Sequence, residues 1–328
     1  MNAANSMEPE LSALRYVIVT AARNEAHIID RTLDAVTAQT CRPLRWVIVD
    51  DGSSDDTAAI VQRYAEEHPW IVLLRRPPRS ARSFAGKAEA IAAALDRVRD
   101  LEFEFMVNLD ADVSFAPDYL AFVLRKLVDD PELGIAGTPF TQTGDYDSAR
   151  DSFEGDNYVA GPCQVFRYSC YRDIGGYVAN PAGGVDWIAV MTARMKGWKV
   201  CSFPEKRFHH HRSMGTAERG PLHALFTYGE KDYYLGGSPL WQLFRVGYRV
   251  FKKPRVTGGL ALLLGYTWAA ARRTKRAVSP ELMRFHREEQ MRKLKGVFRA
   301  VARLKKPASF GIGDAEDLAA ARTRTMQP

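Results

Sequence analysis

Two carboxylates separated by one residue, Asp110 and Asp112, stand at the end of an apolar run of strand length, Phe103 to Leu109. Carboxylate oxygens suit a hard divalent cation such as Mg²⁺ or Mn²⁺, which in turn holds a diphosphate. Taken alone, Asp-x-Asp also reads as an Asx turn closing a strand. A third carboxylate, Asp186, follows the pair Gly183-Gly184 and opens a stretch of helical period, Asp186 to Lys196. A helix N-terminus favours the ionised carboxylate, the form in which it can take a proton from a hydroxyl; the plain alternative is an N-cap. Three consecutive histidines, His209 to His211, precede Arg212. Imidazole ligates metals and a guanidinium grips phosphate through paired N–H groups. This run therefore adds a candidate ligand, His211, and a candidate diphosphate contact, Arg212; a polar loop with one structural histidine is the alternative. His223 lies in a helical pattern and reads as a surface residue.

Elements of regular structure must bring these groups together. Leu14 to Thr20 is short and β-branched and predicts a first strand, followed by a helical pattern with Ile28, Ile29, Leu33 and Val36 on one side. Arg45 to Asp50 predicts a second strand, and the cluster from Asp51 to Thr57 caps a helix running toward Glu67. Ile71 to Leu74 is a third strand, Ala85 to Val98 a third helix and Phe103 to Leu109 a fourth strand. Such alternation with short connections means a mostly parallel sheet covered by helices on both faces. Ligands of such sheets bind at the carboxyl edge, where Asp110 and Asp112 stand. There is neither a G-x-G-x-x-G after the first strand nor a P-loop, which argues against a dinucleotide enzyme and a P-loop nucleotidase. Residues 141–158 are acidic and poor in apolar residues, as expected of a loop across an open edge. Gly161 to Phe166 and Trp198 to Ser202 read as further strands, and Pro221 to Leu235 as an aromatic-rich helix.

The chain of 328 residues is 46% hydrophobic and 26% charged, proportions of a globular protein rather than a disordered one. Its net charge of +7 is segregated: residues 245–306 hold 18 Lys/Arg against 3 Asp/Glu, so the remainder is acidic. Segregation of this kind points to a polyanionic surface as partner. Val256 to Ala271 is a run of 16 apolar or small residues bracketed by Lys252, Lys253 and Arg255 on one side and by Arg272, Arg273, Lys275 and Arg276 on the other. The run is short of the roughly 20 residues that span a bilayer. Cationic flanks with Tyr266 and Trp268 favour a helix lying among lipid headgroups. Nucleic acid is the weaker explanation of this charge, because neither a reading helix nor an aromatic-interleaved sheet accompanies it. Cys41, Cys163, Cys170 and Cys201 lack CxxC spacing and read as reduced thiols. Residues 1–14 lack the apolar core of a signal peptide, so the chain is expected to stay on the side of the membrane where it is made.

Thr20-Ala21-Ala22-Arg23-Asn24-Glu25, Val49-Asp50-Asp51-Gly52-Ser53-Ser54-Asp55, Asp110-Ala111-Asp112 and Gly183-Gly184-Val185-Asp186 follow one another at spacings that resemble the glycosyltransferase family 2 enzymes. The resemblance covers about residues 14–212 and implies the GT-A fold, a nucleoside-diphosphate sugar as donor and Mn²⁺ or Mg²⁺ as cofactor. It implies that Thr20, Ala22, Asn24 and Glu25 border the nucleotide, that Asp51 is aimed at the base with Asp50 in support, and that Lys87 lies near the nucleotide. Asp110, Ala111 and Asp112 match the metal motif, with Asp112 contacting the ion, and His211 matches an additional ligand found after the last core strand in related folds. Asp186 is then the base of a single displacement that inverts the anomeric carbon. Where many members carry Glu-Asp, this chain has Val185-Asp186, so any help from a neighbouring acid is lost. The QxxRW signature of processive members is absent, which favours one transfer per encounter.

The expected organisation is a short flexible N-terminus (1–13), a catalytic domain (14–215, with a nucleotide-sugar half to 112 and an acceptor half beyond), a basic helical membrane-associating region (216–306) and a flexible tail (307–328). The expected activity is transfer of a single sugar to a lipid-linked or membrane-held acceptor in bacterial surface-glycan synthesis, at the cytoplasmic face of the plasma membrane, with a lipid-linked or glycan acceptor and an anionic membrane surface as partners and no nucleic acid. A polyprenyl-phosphate sugar synthase is the nearest alternative, and there an already ionised acceptor makes Asp186 less critical. A catalytically silent nucleotide-sugar-binding subunit, disfavoured by the intact carboxylates, is the alternative of another class. A nucleotidyltransferase, which would normally show a Gly-rich basic loop after the first strand, is a third.

Overall fold

The computed structural model describes residues 14–78, 84–142, 148, 155–180, 183–212, 220–249 and 254–302. The expected termini 1–13 and 307–328 and most of the acidic 141–158 loop lie outside them.

β-branched runs buried on both faces build the centre of the molecule, as a sheet covered on two sides requires. The strands are β1 (Tyr16–Ala22), β2 (Arg45–Asp50), β3 (Ile71–Arg75), β4 (Phe105–Leu109), β6 (Leu133–Gly137), β8 (Cys163–Arg167) and β9 (Lys199–Ser202), joined in the order β3-β2-β1-β4-β8-β6-β9. β1, β2, β3 and β4 are mutually parallel, whereas β8 runs antiparallel to both β4 and β6. The chain turns from β1 outward to β2 and β3 and returns to place β4 on the other flank of β1. That reversal opens a crevice at the carboxyl ends of β1 and β4.

Helices α1 (Ile29–Thr37), α2 (Thr57–Glu67) and α4 (Tyr119–Asp129) cover one face of the sheet. Their Ile29, Leu33, Val61, Leu120 and Leu124 pack with Tyr16, Ile18, Trp46 and Phe105 of the strands. The opposite face is covered by α3 (Phe84–Asp96), α5 (Tyr168–Asp173) and α6 (Val185–Met195), whose Ile91, Ala94, Cys170 and Val190 meet Val17, Val19, Val47 and Met106. Successive residues of β1 thus feed opposite cores, as a side-chain period of two dictates. All four cysteines are free.

A small second sheet stands at the carboxyl edge: β5 (Val113–Ser114), β10 (Phe208–His210) and β7 (Phe140–Thr141), with β10 in the middle. β10 is antiparallel to β5 and sets His210 opposite Val113.

The C-terminal helices α7 (Gly220–Tyr234), α8 (Pro239–Arg249), α9 (Arg255–Ala271) and α10 (Pro280–Ala302) attach through Tyr234, Leu235 and Leu282, which pack on Ile188 and Met191 of α6. Arg194 of α6 also pairs with Glu289 of α10, both side chains buried. Removing one member of such a pair strands the other charge. Arg194→Met is expected to destabilise the protein by about 3 kcal/mol, near the lower bound for a broken buried pair, because Arg292 stays 3.9 Å from Glu289. A lower urea midpoint at unchanged slope is the measurement that checks it.

Candidate functional site

Asp110 and Asp112 leave the tip of β4 and face the crevice. Asp110 donates its backbone N–H to the Pro162 carbonyl at 2.8 Å, which ties this turn to the segment before β8. Its Oδ1 accepts from Lys87 Nζ at 2.5 Å. Burial tends to lower the Lys87 pKa, but the hydrogen bond and charge of Asp110, with Asp186 and Asp112 behind, outweigh it and raise the value. Asp112 is buried, with His210 Nε2 at 3.3 Å and Arg212 Nε at 3.7 Å from its carboxylate. Burial acts to raise its pKa, yet the hydrogen bond and charge of His210, with Arg212 and Lys87, hold the carboxyl below the usual aspartate range.

The third group of this cluster is His210, not His211 as the resemblance implies. Ligand atoms of Asp110, Asp112 and His210 lie within 4.8 Å of one another. Strand alternation explains the difference. Phe208 and His210 point together into buried surroundings, while the rings of His209 and His211 meet each other at 4.6 Å on the other side. His211 spends Nε2 on Ser114 Oγ at 2.8 Å and Nδ1 on Arg31 at 3.3 Å. Burial, followed by the neighbouring His209 and Arg31 charges, pushes its pKa down. Gln142, which carries no motif, holds His210 Nδ1 at 2.8 Å and leaves Nε2 turned to Asp112.

Two carboxylates and one imidazole make a donor set that fits Mn²⁺ or a similar divalent ion. Gln142 fixes the ring orientation by donating to Nδ1 with the same amide nitrogen that donates to the Arg212 carbonyl, the reverse of the ring N–H that metal-binding histidines usually give. The residues fit the group that the motif implies.

Asp186 lies in the first turn of α6, after Gly183 and Gly184 at φ of 88° and 82°. Its carboxylate sits over Gly161, where an added Cβ would lie 2.5 Å from Oδ2. Gly161 in turn accepts through its carbonyl from the Asn108 amide at 3.1 Å, so Asp186 rests on the same backbone that braces β4. The Tyr158 hydroxyl donates to Asp186 Oδ2 at 3.3 Å. Among the described residues Asp186 has no ion pair, whereas Asp110, Asp112 and Asp51 each have at least one, to Lys87, Arg212 and Arg76.

The remaining predicted residues line the crevice unevenly. Thr20 does not reach the edge: β1 continues to Ala22, and the Thr20 hydroxyl accepts from the Trp46 indole inside the core at 2.9 Å. Ala22 and Ala111 are buried, and the Ala22 carbonyl accepts from Asp51 N–H. Asn24 is exposed in the left-handed region at φ 55° and accepts from Ser54 N–H through its side chain, locking the loops after β1 and β2 together. Glu25 pairs with Arg212, which joins the loop after β1 to the edge where Asp112 stands. Asp50 Oδ1 accepts from Ser53 N–H at 2.9 Å. Asp51 pairs with Arg76, which also reaches Glu89; Arg76 carries no motif and shows itself only in three dimensions. An open cavity of about 330 Å³ at the carboxyl ends of β2 and β3 is lined by Asp50, Gly52, Ser53, Asp55, Arg75 and Arg76, among others.

Residues 17–172 match the model of the Glycosyl transferase family 2 family. Among curated proteins, poly-beta-1,6-N-acetyl-D-glucosamine synthase of Staphylococcus aureus (strain COL) is 28% identical over 131 residues, which are 40% of this chain and 29% of that protein. The protein of that name from Staphylococcus epidermidis is 25% identical over 170 residues, 46% of this chain and 39% of its own length. The chain therefore spans well under half the length of these relatives. Two solved structures share the fold: mannosyltransferase PcManGT from Pyrobaculum calidifontis in complex with GDP-Man and Mn²⁺ (21% identity, TM-score 0.52, 88% of this chain and 80% of that one) and S. aureus TarS 1-349 in complex with UDP-GlcNAc (13%, TM-score 0.53, 95% and 92%). The fold is a mixed α/β, GT-A-type domain with a mainly parallel sheet, as expected.

Proposed function

We propose, for a chain whose residues 17–172 match the glycosyl transferase family 2 model, an inverting glycosyltransferase. It moves one sugar from a nucleoside-diphosphate sugar to a membrane-held acceptor in bacterial surface-glycan synthesis, at the cytoplasmic face of the plasma membrane. The observation that carries this reading is the grouping of Asp110, Asp112 and His210 at the carboxyl edge, close to Asp186, a carboxylate without a cation partner among the described residues.

Asp110, Asp112 and His210 would hold Mn²⁺ or Mg²⁺, which when bound offsets charge on a departing diphosphate. The chain's own groups do the rest. The cavity beside Asp50 and Arg76 suits the nucleoside end of the donor. Lys87 and Arg212 bring positive charge to the edge where phosphate oxygens arrive. Asp186 takes the acceptor hydroxyl proton while that oxygen bonds to the anomeric carbon and the bond from that carbon to phosphate breaks on the opposite side. The pairing supports this division of roles: Asp110 and Asp112 are tied to cationic side chains, and Asp186, with no ion pair among the described residues, is available for a proton.

Thermal shift tests this reading. Mn²⁺ with uridine or guanosine diphosphate is expected to raise Tm of the wild type through mass action, and to leave Asp112→Ala unmoved. An equal shift in both proteins overturns the assignment. Product mass tests the single transfer: one added sugar is expected, and a ladder of lengths would point to polymer synthesis like that in the name of the staphylococcal relatives.

A further inference from the structure

Helix α9 is built inside out. In a water-soluble domain the bulky apolar side chains of a helix face the core. Here the inward face is Gly258, Gly259, Gly265 and Ala269 with Leu262 and Tyr266, while Val256, Leu260, Leu264 and Trp268 point outward, 66%, 52%, 50% and 48% exposed. These four recur at every fourth residue and form one stripe about 18 Å long at the rise of an α-helix.

The glycines explain the inward face. A Cβ on Gly265 would collide with the Phe226 carbonyl of α7, and one on Gly229 of α7 with the Leu262 carbonyl. The two helices touch backbone to backbone, a packing mode used where lipid rather than water surrounds helices. The large side chains are not needed for this contact and are left outside it.

Charge selects the occupant. Residues 233–280 contain nine Lys/Arg and no Asp/Glu. Exposed Arg255 stands at one end of the stripe and exposed Arg272, Arg273 and Lys275 at the other, with the Arg272 guanidinium 4.7 Å over the Trp268 ring. An apolar strip ended by cations and an aromatic ring matches a bilayer whose hydrocarbon begins beneath anionic headgroups. A second copy of the chain on this face would set cations against cations. Among the described residues no helix is long and apolar enough to cross a membrane.

We infer that the outward face of α9, with Arg255, Arg272, Arg273 and Lys275 at its ends, docks on an anionic lipid bilayer as an in-plane helix. That the acceptor is membrane-borne belongs to the function proposed above, and the docking does not depend on it. The two fit together. Immediately after α9, Thr274, Lys275 and Arg276 line a cavity of about 310 Å³ together with Asn180 and Tyr234. Leu235, next to Tyr234 of this cavity, packs on Gly184 in the segment that leads to Asp186.

Flotation of the full chain with vesicles is the test. Wild type is expected to rise with phosphatidylglycerol-containing vesicles and to stay down with pure phosphatidylcholine. The double variant Leu260→Asp, Leu264→Asp is expected to lose vesicle binding by roughly tenfold or more, since two carboxylates replace apolar contacts. Its far-UV spectrum, Tm and soluble donor hydrolysis should stay those of wild type, because both positions face outward. Arg272→Glu with Arg273→Glu should weaken binding to the anionic vesicles only. Wild type that ignores anionic vesicles, or a Leu double variant that binds as well as wild type, overturns the proposal. So does light scattering that shows a dimer dispersed by the same changes without vesicle binding. Loss of hydrolysis with docking intact would instead count against the proposed activity.

Discussion

Asp186→Asn is expected to lower the turnover of sugar transfer by about 10²–10⁴-fold, the usual contribution of a positioned base, while donor affinity stays within about twofold of wild type. Asparagine keeps the size of the side chain and can still accept from the Tyr158 hydroxyl, so the fit over Gly161 persists. The Asp110, Asp112 and His210 group is untouched, which is why donor binding should survive. Single-turnover rates with a nucleotide sugar, beside calorimetric Kd for the same donor, make the comparison. The outcome also divides two acceptors. A hydroxyl must lose its proton during attack, whereas a phosphate acceptor is already ionised and would leave turnover nearly unchanged. Full activity in Asp186→Asn would therefore remove the base and leave the donor site standing.

Gly161→Ala is expected to reach a similar loss of turnover, about 10²-fold or more, without altering any group that performs chemistry. The new methyl would lie 2.5 Å from Asp186 Oδ2 and 2.8 Å from its carboxyl carbon, closer than real contacts allow. The carboxylate must swing away, because the other side of the contact is backbone braced by Asn108 and by the Asp110–Pro162 hydrogen bond. Two readouts separate displacement from damage. Donor Kd should hold, and the double variant Gly161→Ala, Asp186→Asn should be no slower than the worse single variant, as for residues acting as one unit. Additive losses would show that Gly161 acts by another route.

How much of this was legible beforehand depends on whether a residue's role is local. Asp110 and Asp112 declare themselves because a buried strand ending in two carboxylates is a local pattern, and Asp186 does so because a glycine pair precedes it. The resemblance points to His211, whereas the structure groups His210 with the two aspartates. In a run of three, only the phase of a short strand decides which ring turns inward, and buried Phe208 carries that phase two residues ahead of His210. Thr20 looked like a strand end, but β1 extends two residues further and Trp46 takes its hydroxyl from within the core. Gln142, Arg76 and Gly161 act through partners 68, 25 and 25 residues away in sequence, and nothing in their own neighbourhoods announces it. The elements from Val113 to Phe140 carry little chemistry and a motif-led reading passes over them, yet α4 and β6 complete both the helical cover and the sheet.

The reversed strand β8 has a consequence for evolution by exchange of parts. It is hydrogen-bonded to β4 along five residue pairs and to β6 on its other edge. A chimera cut after Asp112, joining one protein's segment up to that residue to another's remainder, would have to re-create that ladder with a foreign neighbour. The loop that carries Gly161 leads directly into β8, so any slip in register would shift the backbone on which Asp186 rests relative to Asp110 and Asp112. Novel specificities in this chain should therefore arise by grafting loops and C-terminal helices, with the strand pair inherited as one unit.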